Sequence, residues 1–234
     1  MRKLIIILSF ISINIFGVTF PEKSKEIKDF VPKNWKIFEN VNGDLNKDGI
    51  EDVVLIIEDT NPDNMKKNEI LGPNLLNLNP RILILLFKNK NDEYVLAGKN
   101  DDGFIESESN EDSPALMDPL EDKSIYIQNG TLKITFFYFM SAGSWSASNV
   151  TYTFRYQENR FQLIGLDYNT FMRNSGQATE YSLNLSTQKL KKTENINMFD
   201  EKESKPKVTW KNIKINKKYY LENMGKNDIH KIFE

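Results

Sequence analysis

From residue 35 onward, short apolar runs rich in Ile, Val, Phe and Tyr alternate with turn residues. Period-two alternation of this kind predicts strands at 35–41, 52–58, 81–88, 93–98, 124–128, 131–140, 150–157, 160–167, 181–186, 190–194 and 208–215. Asn129-Gly130 separates Ile125-x-Ile127 from Leu132-x-Ile134. Because both turn positions tolerate positive φ, the pair predicts a two-residue hairpin. Residues 157–159 predict a second hairpin, joining Tyr152-x-Phe154-x-Tyr156 to Phe161-x-Leu163. The 131–140 segment carries Phe136 and Tyr138 on one face and Phe137 and Phe139 on the other, a pattern expected of a central strand covered on both sides. Helical spacing is scarce: Ile27, Phe30 and Val31 behind Ser24 predict one short helix over 23–31, stopped by Pro32, and a second short helix is expected at the C-terminus. The pattern therefore predicts a mainly β chain, an antiparallel β-sandwich or meander of roughly 10–11 strands.

Three segments stand apart. Met1-Arg2-Lys3 precedes the apolar run 4–16, which stops at Gly17. Two positive charges before a short apolar run predict a signal peptide over 1–17. The run is shorter than the about 17–25 residues that a membrane span needs. No Cys follows it to accept a lipid, so a soluble exported protein is expected, periplasmic or else extracellular, with one domain over 20–234. The second segment, 99–123, holds Asp101, Asp102, Glu106, Glu108, Glu111, Asp112, Asp118, Glu121 and Asp122, and reads as a long acidic loop. The third, 195–207, is polar, closes at Pro206 and reads as a flexible connection within a Lys-rich stretch over 189–231.

Composition narrows the chemistry. The 234 residues carry 31 basic and 33 acidic side chains, a formal charge of −2, so there is no positive field to hold a phosphate backbone and no nucleic-acid partner is expected. Removing Arg2 and Lys3 makes the chain more acidic still. Absence of Cys excludes disulfides, thiolate nucleophiles and Cys-ligated metals, and His230 is the only histidine. Abundant Lys, Asn and Ile fit an AT-rich bacterial source.

One motif carries chemistry. Residues 42–52 contain D-x-N-x-D-G-x-x-D, in which alternate side chains turn oxygens toward a common centre and the glycine permits the sharp turn. The spacing suits Ca²⁺, with side-chain oxygens from Asp44, Asn46 and Asp48, the carbonyl of Ile50, and Asp52 at the ninth position, directly or through water. A complete EF-hand would place Glu at the twelfth position, where this chain has Leu55 inside a strand.

A hydrophobic strand, this loop and a second hydrophobic strand resemble the calcium loop of FG-GAP and VCBS-type repeats. The resemblance spans 35–58, carries ligand roles onto Asp44, Asn46, Asp48, Ile50 and Asp52, and implies extracellular calcium stabilisation in adhesive or carbohydrate-associated settings. No second copy occurs, and a propeller needs about four four-stranded blades, so a complete propeller is not expected. With its Gly- and Trp-containing run Ser141-Ala142-Gly143-Ser144-Trp145, the chain also resembles a family of exported bacterial proteins of unassigned function that carry one such loop.

The same run fails the G-x-S-x-G elbow of serine hydrolases, and the only His is remote from it. The expected function is a non-catalytic, calcium-stabilised binding module, monomeric, meeting a protein or carbohydrate partner in the cell envelope. Two alternatives stand beside it: a carboxylate-dependent hydrolase of cell-wall or glycan material, and a periplasmic inhibitor or immunity-type protein acting through its acidic loop.

Overall fold

Continuous apolar runs suit strands buried on both faces, and Val53 to Ile57 and Ile82 to Leu86 are such runs. The computed structural model, which describes residues 18–120, 123–200, 202 and 204–225, pairs them at the middle of a five-stranded sheet. Its strands are β1 (Lys23–Ser24), β2 (Trp35–Gly43), β3 (Asp52–Asp59), β6 (Arg81–Lys88) and β7 (Tyr94–Asn100), in the order β1-β7-β6-β3-β2. Between β3 and β6 the chain makes a small separate hairpin, β4 (Met65–Lys67) with β5 (Leu75–Asn77). A seven-stranded meander follows: β8 (Ile125–Gln128), β9 (Thr131–Phe139), β10 (Ser146–Gln157), β11 (Arg160–Met172), β12 (Gln177–Asn184), β13 (Lys189–Asn197) and β14 (Lys207–Asn212). All pairings are antiparallel.

The two large sheets share one core. Val54, Ile56, Leu83 and Leu85 from the smaller sheet pack with Leu132, Ile134, Phe136, Val150, Phe154, Phe161, Leu163 and Leu166 from the larger one. The opposite face of β3 and β6, through Val53, Leu55, Ile57, Ile82, Ile84 and Leu86, is covered by Phe30 and by Val18, Phe20, Ile27, Val31 and Trp35 of the N-terminal stretch. Both expected hairpins form. Asn129 and Gly130 have φ of 54° and 70°, Glu158 and Asn159 of 52° and 59°, the positive pair that matches the twist of the flanking strands.

Three expectations are corrected. In place of the N-terminal helix over 23–31, Lys23–Ser24 pairs with β7 and a 3₁₀ turn at Ile27–Phe30 packs down on the sheet. The three-to-four spacing of Ile27, Phe30 and Val31 is satisfied by one turn, because pairing on one side and Pro32 on the other leave no length for more. At the other end the described residues hold only a 3₁₀ turn at Leu221–Asn223, while 226–234, including His230, lie outside them, as do residues 1–17 with the expected signal peptide. Third, β9 is second from the edge of its sheet: its Phe137 stacks with Phe139 and with Phe171 on the outer face, all half-exposed, so it is covered on one side only.

The segment between β7 and β8 differs from a solvated loop. Phe104 and Ile105, 3% and 1% exposed, enter the core, where the Phe104 ring meets Phe136, Tyr152 and Phe154 edge-on at 5.0–5.8 Å. Leu116 and Met117 pair with the end of β9, and Phe137 N–H donates to the Pro119 carbonyl at 2.8 Å. The acidic segment is thus an ordered crossover from one sheet to the other. Buried Asn100 fixes its start: its amide donates to the carbonyls of Leu221 and Met224 at 2.7 Å each, and its oxygen accepts from Asp102 and Phe104 N–H at 3.2 and 3.3 Å. The 195–207 connection is also tied down where it is described, with Asn197 N–H on Ser204 Oγ at 2.8 Å and Lys205 N–H on the Asn195 carbonyl at 3.2 Å.

Candidate functional site

The turn between β2 and β3 holds the 44–52 motif. It begins after Gly43, where a Cβ would lie 2.7 Å from Ile127 of β8, so the strand end can approach the other sheet only without a side chain. Asp44 then accepts from the N–H groups of Lys47 at 2.6 Å, Asp48 at 3.2 Å and Gly49 at 2.9 Å. Asn46 accepts from Asp48 N–H at 2.9 Å and donates its amide to Asp48 Oδ2 at 3.1 Å, and Asp48 Oδ1 accepts from Ile50 N–H at 2.8 Å. Left-handed backbone at Lys47 and Gly49, with φ of 66° and 86°, closes the turn. Side chains at alternate positions therefore fold inward on the loop's own N–H groups, as Asx turns do.

Asp52 behaves differently. It is fully buried, with Oδ2 accepting from Leu45 N–H at 2.8 Å and Asn46 N–H at 3.3 Å, and Oδ1 from Lys88 N–H at 3.1 Å. Burial pushes its carboxyl above the ordinary range, and the Asp48 charge adds to that, against the lowering pull of the three N–H groups. Asp52 thereby ties the loop to the end of β6. Between Asp44 and Asn46, Leu45 is 1% exposed in the core between the sheets.

The donor set for a cation divides accordingly. Asp44, Asn46 and Asp48 lie on the half-buried and exposed rim, and a carboxylate offers about four lone-pair sites, so each acid keeps acceptor capacity beyond the N–H groups it binds. The Ile50 carbonyl belongs to the same turn. Asp52 lies buried beneath them with three backbone N–H groups on its oxygens, as many as Asp44 accepts. Among the described residues no three His, Cys, Asp or Glu side chains cluster as a ready-made ion site, so a cation here must draw on the amide and carbonyl as well as the two rim acids.

A second constellation was not anticipated. Arg81, its side chain fully buried, donates from Nε to Glu58 at 2.8 Å and from Nη1 and Nη2 to the two oxygens of Asp118 at 2.7 Å each. Lys36 Nζ reaches the other Glu58 oxygen at 2.8 Å, and the Phe38 ring lies 3.9 Å from the guanidinium carbon. Burial alone would raise the Glu58 carboxyl, but the hydrogen bonds and charges of Lys36 and Arg81 outweigh it and hold it below the usual range. The sequence held a signal for this cluster: one charge at the end of each of two apolar runs, facing each other in the antiparallel register Glu58 to Arg81.

Three further acids of the crossover are engaged as well. Glu106 accepts from Tyr138 Oη at 2.7 Å, Glu108 from the Asn77 amide at 2.9 Å, and Glu111 from Lys66 at 3.0 and 3.1 Å. Burial, then the Glu106 charge, drives the Tyr138 phenol strongly upward. The Ser141–Trp145 run forms a turn whose carbonyls at Met140 (3.1 Å) and Ser144 accept from Arg173, which lies over the Phe139 ring at 4.1 Å; Trp145 is 63% exposed. No described helix is long and apolar enough to cross a membrane. No protein-family model, curated protein or solved structure matches the chain significantly.

Proposed function

We propose that the chain is an exported binding module that works by contact, not catalysis, and whose 44–52 loop takes Ca²⁺ for stability. The observation that carries the reading is the loop itself: two rim acids, an amide and a carbonyl at alternate positions, preorganised by the loop's own N–H groups over a buried carboxylate. The rim charge of Asp48 already works against the ionised form of Asp52, and a divalent cation placed between Asp44, Asn46, Asp48 and the Ile50 carbonyl would offset both. An exported chain without disulfides gains most from such an ion, because binding free energy becomes folding free energy.

The FG-GAP and VCBS-like resemblance supports the same reading, since it implies extracellular calcium stabilisation in adhesive or carbohydrate-associated settings; the module would meet a protein or carbohydrate partner in the cell envelope. Neither alternative has a comparable observation behind it. Glu106, Glu108, Glu111 and Asp118 are engaged by Tyr138, Asn77, Lys66 and Arg81, while Asp112 stays exposed. A recess of about 520 Å³ brings Asp101, Glu106 and Glu111 together beside Trp35, but each of these acids already holds a partner, Lys99, Tyr138 or Lys66.

The test is thermal unfolding with chelator and with calcium. At ten times its dissociation constant, calcium should stabilise the native state by about 1.4 kcal/mol. At about 2–4 °C per kcal/mol for a chain of this size, Tm should rise by about 3–6 °C. Asp44→Ala with Asp48→Ala lowers Tm by itself, through lost N–H acceptors, so the discriminating quantity is the calcium-dependent increment. That increment should vanish in the double variant; an increment already absent from the unsubstituted protein refutes the reading.

A further inference from the structure

The β4–β5 hairpin is built to hold apolar side chains in water. One side chain organises its tip: the Asn68 amide donates to the carbonyls of Ile70 and Leu71 at 3.3 Å each and of Pro73 at 2.9 Å, and its oxygen accepts from Ile70 N–H at 3.2 Å. Asn68 N–H also donates to the Asn74 carbonyl at 3.0 Å. Held this way, Ile70 and Leu71 are 70% and 64% exposed. Gly72, at φ 116°, rests on the acidic crossover, where a Cβ would lie 2.3 Å from the Pro114 carbonyl oxygen. Single exposed aliphatic residues are ordinary. A preordered adjacent pair on a tethered tip is a knob, because the ordering that binding normally costs is already done. Its rim is acidic on balance: Glu69, Glu108 and Asp112 are exposed against Lys67, and Lys66 is held by Glu111.

The far edge of the seven-stranded sheet presents the complement. Among the described residues β14 pairs only with β13, and its Val208 and Trp210 are 48% and 64% exposed. Beside Trp210 lies a recess of about 390 Å³ lined by Lys189, Lys211 and Asn212, and among the described residues neither lysine forms a salt bridge. We propose that copies of this chain associate head to tail, the Ile70–Leu71 knob of one seating in the Trp210 recess of the next.

Charge selects this pairing over the others. Knob against knob brings acids together, and recess against recess brings lysines together, whereas knob into recess covers both apolar patches and pairs opposite charges. Binding within one copy is out of reach. The crossover beneath the knob joins β9 at Leu116 and Met140, and β9 is five strands from β14, about 24 Å at the usual strand spacing. A contact between two different patches does not close on itself as a twofold dimer does, so the product is an open chain or a ring. This assembly replaces the monomer expected from the sequence and does not depend on the calcium reading.

Sedimentation velocity on the full chain tests it. Sedimentation coefficients should climb with protein concentration at low ionic strength and fall back at about 1 M salt, where the screening length drops to about 3 Å. Ile70→Ser with Leu71→Ser removes the knob, and Lys189→Glu with Lys211→Glu reverses the recess; all four side chains are exposed, so circular dichroism should be unchanged. Each double variant should stay monomeric where the unsubstituted chain assembles. Their equimolar mixture should form a one-to-one dimer and nothing larger, because only one intact knob and one intact recess remain. An unsubstituted chain that is monomeric at every concentration overturns the proposal, as does either variant assembling normally or a mixture that stays monomeric.

Discussion

Replacing Arg81 by Met should destabilise the protein far more than any loss of a surface ion pair. The guanidinium is wholly buried, and among the described residues it is the only buried cation facing Glu58, whose own side chain is 2% exposed. After Arg81→Met, Glu58 keeps only Lys36, which is 56% exposed, and its charge stays in the interior with half its partners gone. Asp118, 25% exposed, can rehydrate and loses less. Breaking a buried pair from one side typically costs about 3–5 kcal/mol, or a Tm loss of about 6–20 °C at about 2–4 °C per kcal/mol. Urea unfolding followed by tryptophan fluorescence measures it. Removing the whole cluster, Glu58→Leu with Arg81→Met and Asp118→Leu, leaves no orphaned charge, so the triple variant should be more stable than Arg81→Met alone. A loss under about 1 kcal/mol for Arg81→Met, or a triple variant worse than the single one, refutes the account.

Glu58 also gives the pH dependence a sign. Its carboxyl is held below its ordinary value near 4.5, so its stabilising contribution is complete above that pH and disappears as pH falls through the depressed folded value; acid titration of the urea midpoint should show this limb, flattened in Arg81→Met. Phe104→Ala should cost about 3–5 kcal/mol although the residue lies in a strongly acidic stretch, because its ring fills the space among Phe136, Tyr152 and Phe154; a loss like that of an exposed residue would show the crossover to be peripheral.

Strands were legible because their signals are local. Alternation located the longer strands, the continuous runs at 52–58 and 81–88 are the doubly buried pair β3 and β6, and Asn129-Gly130 set a hairpin by its backbone preference alone. The two- and three-residue strands β1, β4 and β5 are shorter than any period can register. The helical reading of 23–31 failed because tertiary pairing took the first residues, leaving the apolar spacing to a 3₁₀ turn. Phe104 and Ile105 were hidden by their neighbours: two apolar residues among acids carry no periodicity, and their burial is decided by the space between two sheets. In the loop, the spacing of Asp44, Asn46 and Asp48 on one turn was readable. That Asp52 would face inward onto Leu45, Asn46 and Lys88 depended on a strand 36 residues further along the chain.

Asn100 fastens Leu221 and Met224 to the end of β7, and Tyr219, Leu221 and Met224 are themselves part of the core between the sheets. A chain delivered residue by residue from its N-terminus therefore lacks a wall of that core until about residue 224 has emerged. The inner face of the five-stranded sheet, although its strands come first, is covered in turn by residues 132–166 of the larger sheet and then by Tyr219, Leu221 and Met224. The core between the sheets is thus closed by its latest described segment, so a chain shortened before residue 219 would have both large sheets and still lack the piece that seals them together.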